Sequence, residues 1–244
     1  MQISRLTAAV TLAAATTVFF PSALTAQQDP LTPEQRVAAL KQSLQDSQTR
    51  LRKYEWIETT IISLKGEEKA RQQKRCYYGA DGKVQKVAIE SAAPAPKQAA
   101  PAGRRGGRVK EKIVENKKDE MKDYMEKAAA LVHQYVPPVP AQIQKAKDAG
   151  KLKIKPLQPG VVQVEMTDYL LAGDRLAVDV NAAANNLSAL NVSSYLDKRD
   201  DSIVLAVQFG ALADGTSYTT QTTLDAAAKS IRVVIQNTGH RPVQ

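Results

Sequence analysis

Four runs in the C-terminal half decide the fold: LSALNVSSYL at 187–196, SIVLAVQFGAL at 202–212, TSYTTQTTL at 216–224 and SIRVVIQ at 230–236. Each is rich in β-branched and aliphatic residues and alternates apolar with polar side chains, the period of a half-buried strand. Between them stand Asp197–Asp200, Asp214-Gly215 and Asp225–Ala228, residues suited to turns. Taking those as the loops sets a register. Leu190 then faces Val207, and Val192 faces Leu205. Across the second loop Val207 meets Thr222 and Phe209 meets Thr220. Across the third, Thr222 meets Ile231, Thr220 meets Val233 and Tyr218 meets Ile235. Leu190, Val192, Leu205, Val207, Phe209, Ile231, Val233 and Ile235 fall on one face. Asn191, Ser193, Tyr195, Gln208, Thr219, Gln221 and Arg232 fall on the other, with Val204 and Val234 as exceptions. Strand side chains alternate with period two, so a one-residue slip in any hairpin would scramble this division.

Working outward, Val161–Leu171 and Leu176–Asn181 extend the same texture upstream and predict an antiparallel meander. Two amphipathic helices precede it, at about 109–136 and 141–149, ended by Pro137-Pro138 and Gly150. Near the N-terminus Thr32-Pro33-Glu34-Gln35 opens a third helix, with Val37, Leu40, Leu44, Ser47 and Leu51 on one stripe to about Lys53. Tyr54–Ser63 is β-branched and aromatic, a strand. Asp81-Gly82 between two alternating runs predicts a hairpin with a two-residue loop. That loop would pair Tyr78 with Gln85 and Cys76 with Val87. Cys76 is then a small core residue sharing a face with Val87 and Ile89, although Lys74 and Arg75 beside it leave a reactive thiol open. The fold class expected is α+β: a highly curved antiparallel sheet of about 9–10 strands, an incomplete barrel, covered by about three helices.

Composition narrows the chemistry. The 244 residues include 34 Lys and Arg against 25 Asp and Glu, one Cys and two His. One thiol excludes a disulfide framework, an iron–sulfur cluster and an all-cysteine zinc site, and two histidines exclude a multi-histidine metal centre. Residues 1–26 carry Arg5, an uncharged apolar stretch from Leu6 to Phe20, Pro21 and small residues ending at Ala26. This pattern predicts a cleaved export signal, and the apolar part is shorter than the ~20 residues a membrane-spanning helix needs. The expected protein is periplasmic or secreted, not integral to a membrane, with one domain at 27–244. An Ala-, Pro- and Gly-rich insertion at about 91–108 has no apolar period and is read as a flexible excursion within that domain.

The formal net charge is +9, and the positive excess concentrates between residues 101 and 155. Export removes nucleic acid as a partner and leaves an anionic envelope surface or an acidic protein, against a plain solvated helix face. No nucleophile elbow, zinc-helix, phosphate-loop or dinucleotide motif occurs. His133 reads as a partly buried helix residue and not a catalytic base, and Asp197, Asp200 and Asp201 as a turn and not a calcium loop. No catalytic residue, metal ligand or cofactor is assigned. A hydrolase with dispersed residues would need Asp179 or Glu165 close to His133.

Tyr54–Ile89, and more so Leu171-Ala-Gly-Asp-Arg-Leu-Ala-Val-Asp-Val180 through Ala213-Asp-Gly-Thr216 to the end, resemble the periplasmic lipoprotein-carrier fold of the LolA/LolB type, as seen in secreted bacterial proteins of that layout. The resemblance covers about two-thirds of the chain after the signal. It implies an incomplete barrel whose apolar face, lidded by helices, holds acyl chains. The insertion and the long charged helix depart from that pattern. The leading expectation is a non-enzymatic carrier for a lipid, an acylated protein or another apolar ligand. Candidate lining residues are Leu190, Val192, Leu205, Val207, Phe209 and Val233, for which the rival use is plain core. The alternative is an envelope module that docks through the basic region Arg104–Lys155.

Overall fold

The computed structural model describes residues 33–89 and 107–243. The expected export signal and all but the last two residues of the expected insertion lie outside the described residues. Along the chain the elements are α1 (Pro33–Leu51), β1 (Tyr54–Leu64), β2 (Glu67–Tyr78), β3 (Val84–Ile89), α2 (Gly107–His133), α3 (Pro140–Asp148), β4 (Leu152–Gln158), β5 (Val161–Thr167), β6 (Arg175–Asn181), β7 (Asn186–Tyr195), β8 (Ser202–Ala211), β9 (Ser217–Ala226) and β10 (Ile231–Pro242). All ten strands form one antiparallel sheet in the order β3-β2-β1-β10-β9-β8-β7-β6-β5-β4. A meander therefore runs from β4 to β10, and β1 adds to the outer edge of β10, carrying β2 and β3 with it. The sheet is open, with β3 and β4 as its two ends. The class is α+β, as the sequence implies.

Register follows the sequence in part. Leu190 faces Val207 and Val192 faces Leu205, as expected. Val207 faces Thr222, but a bulge after Gln208 sets Phe209 opposite Thr219 in place of Thr220. The third hairpin corrects a larger error. β9 runs on to Ala226, and Ser230 closes the loop in the left-handed conformation (φ 53°). Ile231 therefore faces Ala226, Val233 faces Leu224 and Ile235 faces Thr222. Asp225 sits inside the ladder opposite Arg232, held by hydrogen bonds of 2.6 and 3.0 Å. The slip is four residues, an even number, so every side chain stays on its expected face.

In the β2–β3 hairpin the slip is one residue. Ala80, Asp81 and Gly82 make a three-residue loop: Gly79 N donates to Lys83 O, and Gly82 takes a positive φ of 72°. Tyr78 then pairs with Val84 and Cys76 with Lys86. Val87 and Ile89 turn to the face opposite Cys76 and are exposed. Residues 152–158 form β4, which the sequence hides because Pro156 interrupts the run. Proline is tolerated there because β4 is an edge strand.

One row of side chains crosses nine strands: Leu152, Met166, Leu176, Val192, Leu205, Leu224, Val233, Ile62 and Ala70. From Met166 to Leu205 these are buried in a single cluster with Tyr124, Ala128 and Leu131 of α2 and with Tyr135 just beyond it. That spacing of four, three and four is the apolar stripe of a helix laid on the sheet. Toward the other end the cover gives out, and Ile62 is 38% exposed. The face under α2 is called the inner face below.

What fixes α2 in place is polar. The Asp174 carboxylate, 1% exposed, accepts hydrogen bonds from the backbone N–H groups of Tyr169, Leu170 and Leu171 and from the Tyr135 hydroxyl. Ser194 Oγ on β7 lies 2.8 Å from the same hydroxyl. Burial first, and then the bond to Asp174, hold the Tyr135 hydroxyl protonated well above its ordinary range. One side chain thus joins the end of α2, the loop before β6 and the strand β7. The Tyr135→Phe variant should lose about 1.5–3 kcal/mol in urea unfolding, the cost of a buried charged acceptor left one donor short. A loss below 0.5 kcal/mol, on the scale of a neutral surface change, would refute this role.

Candidate functional site

α1 lies against the β8–β9 end of the sheet. Ser47 Oγ accepts a 3.1 Å hydrogen bond from Ser217 N, and Arg50 Nε donates to Thr216 Oγ1 at 3.0 Å. These bonds seat the N-terminal helix at the start of β9. On the other side, the link after α2 is positioned by Tyr135 and by Val139 N, which donates to Tyr169 Oη at 2.8 Å. Between the two runs a groove of about 700 Å³. Leu40, Leu44 and Leu51 of α1 form one wall. Pro137, Pro138 and Ile143 form the opposite wall, and Phe209, Tyr218 and Thr219 the floor, with Tyr78 at the β2 end. Size and apolar lining are those of a small-molecule pocket.

Of the six residues singled out from sequence, only Phe209 lines this groove. Leu190, Val192, Leu205 and Val207 are buried in the core beneath α2, and Val233 is half-buried against that cluster. A ligand could touch those four only by displacing the helix. The groove residues that the sequence did not single out come from segments far apart in the chain. Their one legible signal is the α1 stripe, Leu40, Leu44, Ser47 and Leu51, which keeps a helical period yet has no marker of what it faces.

An aromatic row adjoins the groove. Tyr78, Trp56, His240 and Tyr218 come from β2, β1, β10 and β9. Successive ring centroids lie 5.8, 5.8 and 4.1 Å apart, with Trp56 and His240 stacked at 12°. Trp56 Nε1 donates to Asn237 Oδ1 at 3.1 Å, so the indole is both buried and satisfied. Burial pushes the His240 imidazole below its ordinary pKa. Cys76, fully buried beside Trp56 on the ladder, has its thiol pushed up by burial and then by Glu58. The neutral thiol is the core hydrophobe and not a nucleophile.

The remaining candidates disperse. His133 is exposed at the end of α2. Glu165 is paired with Lys155 and lies on the face opposite Met166, hence opposite the α2-covered core. Asp179 accepts from Gln163 on that same outer face. Neither carboxylate meets His133. Asp201 accepts from Tyr124 Oη, while Asp197 and Asp200 stay exposed. Among the described residues no group of three or more His, Cys, Asp and Glu side chains comes together, and no helix is long and apolar enough to cross a membrane.

This open antiparallel sheet with three helices has the layout expected from the sequence resemblance. No protein-family model and no curated protein matches the chain. Among the solved structures similar to it are the following two. One is a DUF1329 family protein from Desulfovibrio piger, 10% identical over 84% of this chain and 92% of that one, with a TM-score of 0.36. The other is a LolA superfamily protein from Nitrosomonas europaea, 8% identical over 82% of this chain and 94% of that one, with a TM-score of 0.32.

The half-buried His240 gives the fold a titration. Its folded pKa lies below the unfolded value near 6.5, so its contribution to stability is present above about pH 6.5 and is lost as the pH falls through the folded value. Thermal unfolding between about pH 7.5 and pH 5 should therefore show a falling midpoint whose slope is shallower in His240→Phe. An equal slope in both proteins would rule out this histidine as a source of the acid sensitivity.

Proposed function

We propose that the protein is an exported, non-catalytic carrier that holds an apolar, lipid-like ligand in the groove between α1 and the α2–α3 link. The observation that carries this reading is the groove itself, a space of about 700 Å³ walled by leucine, proline, isoleucine and phenylalanine. Apolar lining left open to water costs free energy in proportion to its area, about 25 cal/mol per Å², which a hydrocarbon ligand recovers. Helix α1 forms one wall, seated on the start of β9 by side-chain hydrogen bonds, while α2 is packed into the core. The sequence pattern at residues 1–26, read as an export signal, supports a location in the periplasm or outside the cell.

Organic extraction of the purified protein followed by mass spectrometry should recover copurifying lipid. The neutral fluorophore N-phenyl-1-naphthylamine should bind the delipidated protein, and Leu44→Glu should weaken it about tenfold or more while circular dichroism stays unchanged. A carboxylate forced into the apolar wall costs at least the ~1.4 kcal/mol such a change represents. No extractable lipid together with no fluorophore binding would end the carrier reading.

A second reading has its own observation. Helix α3 packs on the edge strand β4. Together they carry Lys145, Lys147 and Lys153, and Ile154 and Leu157 are 66% and 51% exposed, with Lys153 on the strand face opposite Ile154. Exposed aliphatic side chains and lysines suit an anionic envelope surface. Sedimentation with phosphatidylglycerol vesicles should then fall steeply between low and high salt. Equal sedimentation at both salt levels, or none at either, would eliminate it.

A further inference from the structure

The groove's rim carries a polar stripe beside its apolar one. Two stripes run side by side along α1. Leu40, Leu44, Ser47 and Leu51 form the inner one, and Lys41, Gln45 and Gln48 form the next, at spacings of four and three. The second stripe is made entirely of groups that donate hydrogen bonds, an ammonium and two carboxamides. All three line the groove mouth, and the lining holds no aspartate or glutamate. Lys41 has no acidic neighbour within helical reach, since Val37, Ala38, Leu44 and Gln45 occupy the positions three and four away. No ion pair involving Lys41 occurs among the described residues. The nearest acid along the outer surface of α1, Asp46, is already bonded to Gln42 at 2.8 Å. An uncompensated cation and a row of amide donors therefore border a channel of apolar side chains.

We infer that the ligand is an anionic amphiphile, its acidic headgroup on Lys41 with Gln45 and Gln48 and its hydrocarbon chain along Leu40, Leu44 and Phe209. Carboxylate and phosphate heads share the chemistry this rim recognises, since both accept several charge-assisted hydrogen bonds. A cationic or uncharged head forgoes them. The inference rests on the carrier reading, and the two fail separately.

The test uses the delipidated chain and three probes of one chain length: dodecanoate, dodecanol and dodecyltrimethylammonium. Each displaces N-phenyl-1-naphthylamine. Dodecanoate should bind tightest. Lys41→Gln should weaken dodecanoate by about three- to fivefold, the upper part of the range for an exposed charge pair, and Lys41→Glu by about tenfold, because repulsion then replaces the lost attraction. Dodecanol and the fluorophore should be unchanged in both variants, which also shows that the groove is intact. Raising the salt should bring wild-type dodecanoate affinity toward that of Lys41→Gln. If the three probes bind equally, or if Lys41→Glu leaves dodecanoate unaffected, the headgroup assignment is wrong while the groove stands. If neither dodecanol nor the fluorophore binds the wild-type protein, the carrier reading falls and takes the headgroup with it.

Discussion

The structure turns on one buried carboxylate. Asp174 is removed from water, and a charge there is tolerated only where donors converge on it. Three consecutive backbone amides supply most of them, which forces residues 168–174 into a closed loop; Asp168 at its start takes a positive φ and bonds Gly173. The fourth donor is Tyr135, and through it the end of a 27-residue helix is pinned to the sheet. Pro137 and Pro138 follow within three residues and become a wall of the groove. The position of an apolar surface is thus set by a polar contact several residues away.

The helical cover is uneven along the sheet. Where α2 lies, the inner face is close-packed, and the residues there are core in the ordinary sense. Toward β1 the same row surfaces at Ile62. The groove sits where the packed zone gives way, bounded by α1 and floored by Phe209 and Tyr218. On the β1–β3 side the inner face keeps order by other means: Lys86 reaches across β2 to Glu58 at 2.6 and 2.9 Å, next to the buried Cys76. Further along, the four-ring row of Tyr78, Trp56, His240 and Tyr218 does the work that aliphatic packing does under α2.

Much of the sheet was legible in the sequence, and the reason is parity. Strand faces depend only on whether a register is odd or even, so the four-residue error at the β9–β10 turn left Ile231, Val233 and Ile235 on the correct side. The single-residue error at Gly79–Lys83 reversed Val87 and Ile89, because a glycine in the left-handed conformation lengthened the loop by one. β4 was hidden by Pro156, which local propensity counts against a strand but an edge position tolerates. The groove was less legible. Its parts belong to α1, the α2–α3 link and the β8–β9 hairpin, segments that share no local pattern, and four of the residues proposed for it instead fill the core. Alternation finds which side is apolar. It does not find where that side is left uncovered.

The placement of β10 between β9 and β1 has a temporal consequence. Glu55 and Arg241, paired by side chain as well as by backbone, are 186 positions apart in the chain. A ribbon of three strands and another of six can each assemble from near neighbours, but neither gains its companion until β10 has emerged from synthesis to serve as the seam. Closing so long a loop is entropically costly and slow. The β1 edge, complete early in the chain, therefore stays without its partner until the last strand is present, whereas the β9 edge waits only for the few residues that separate it from β10.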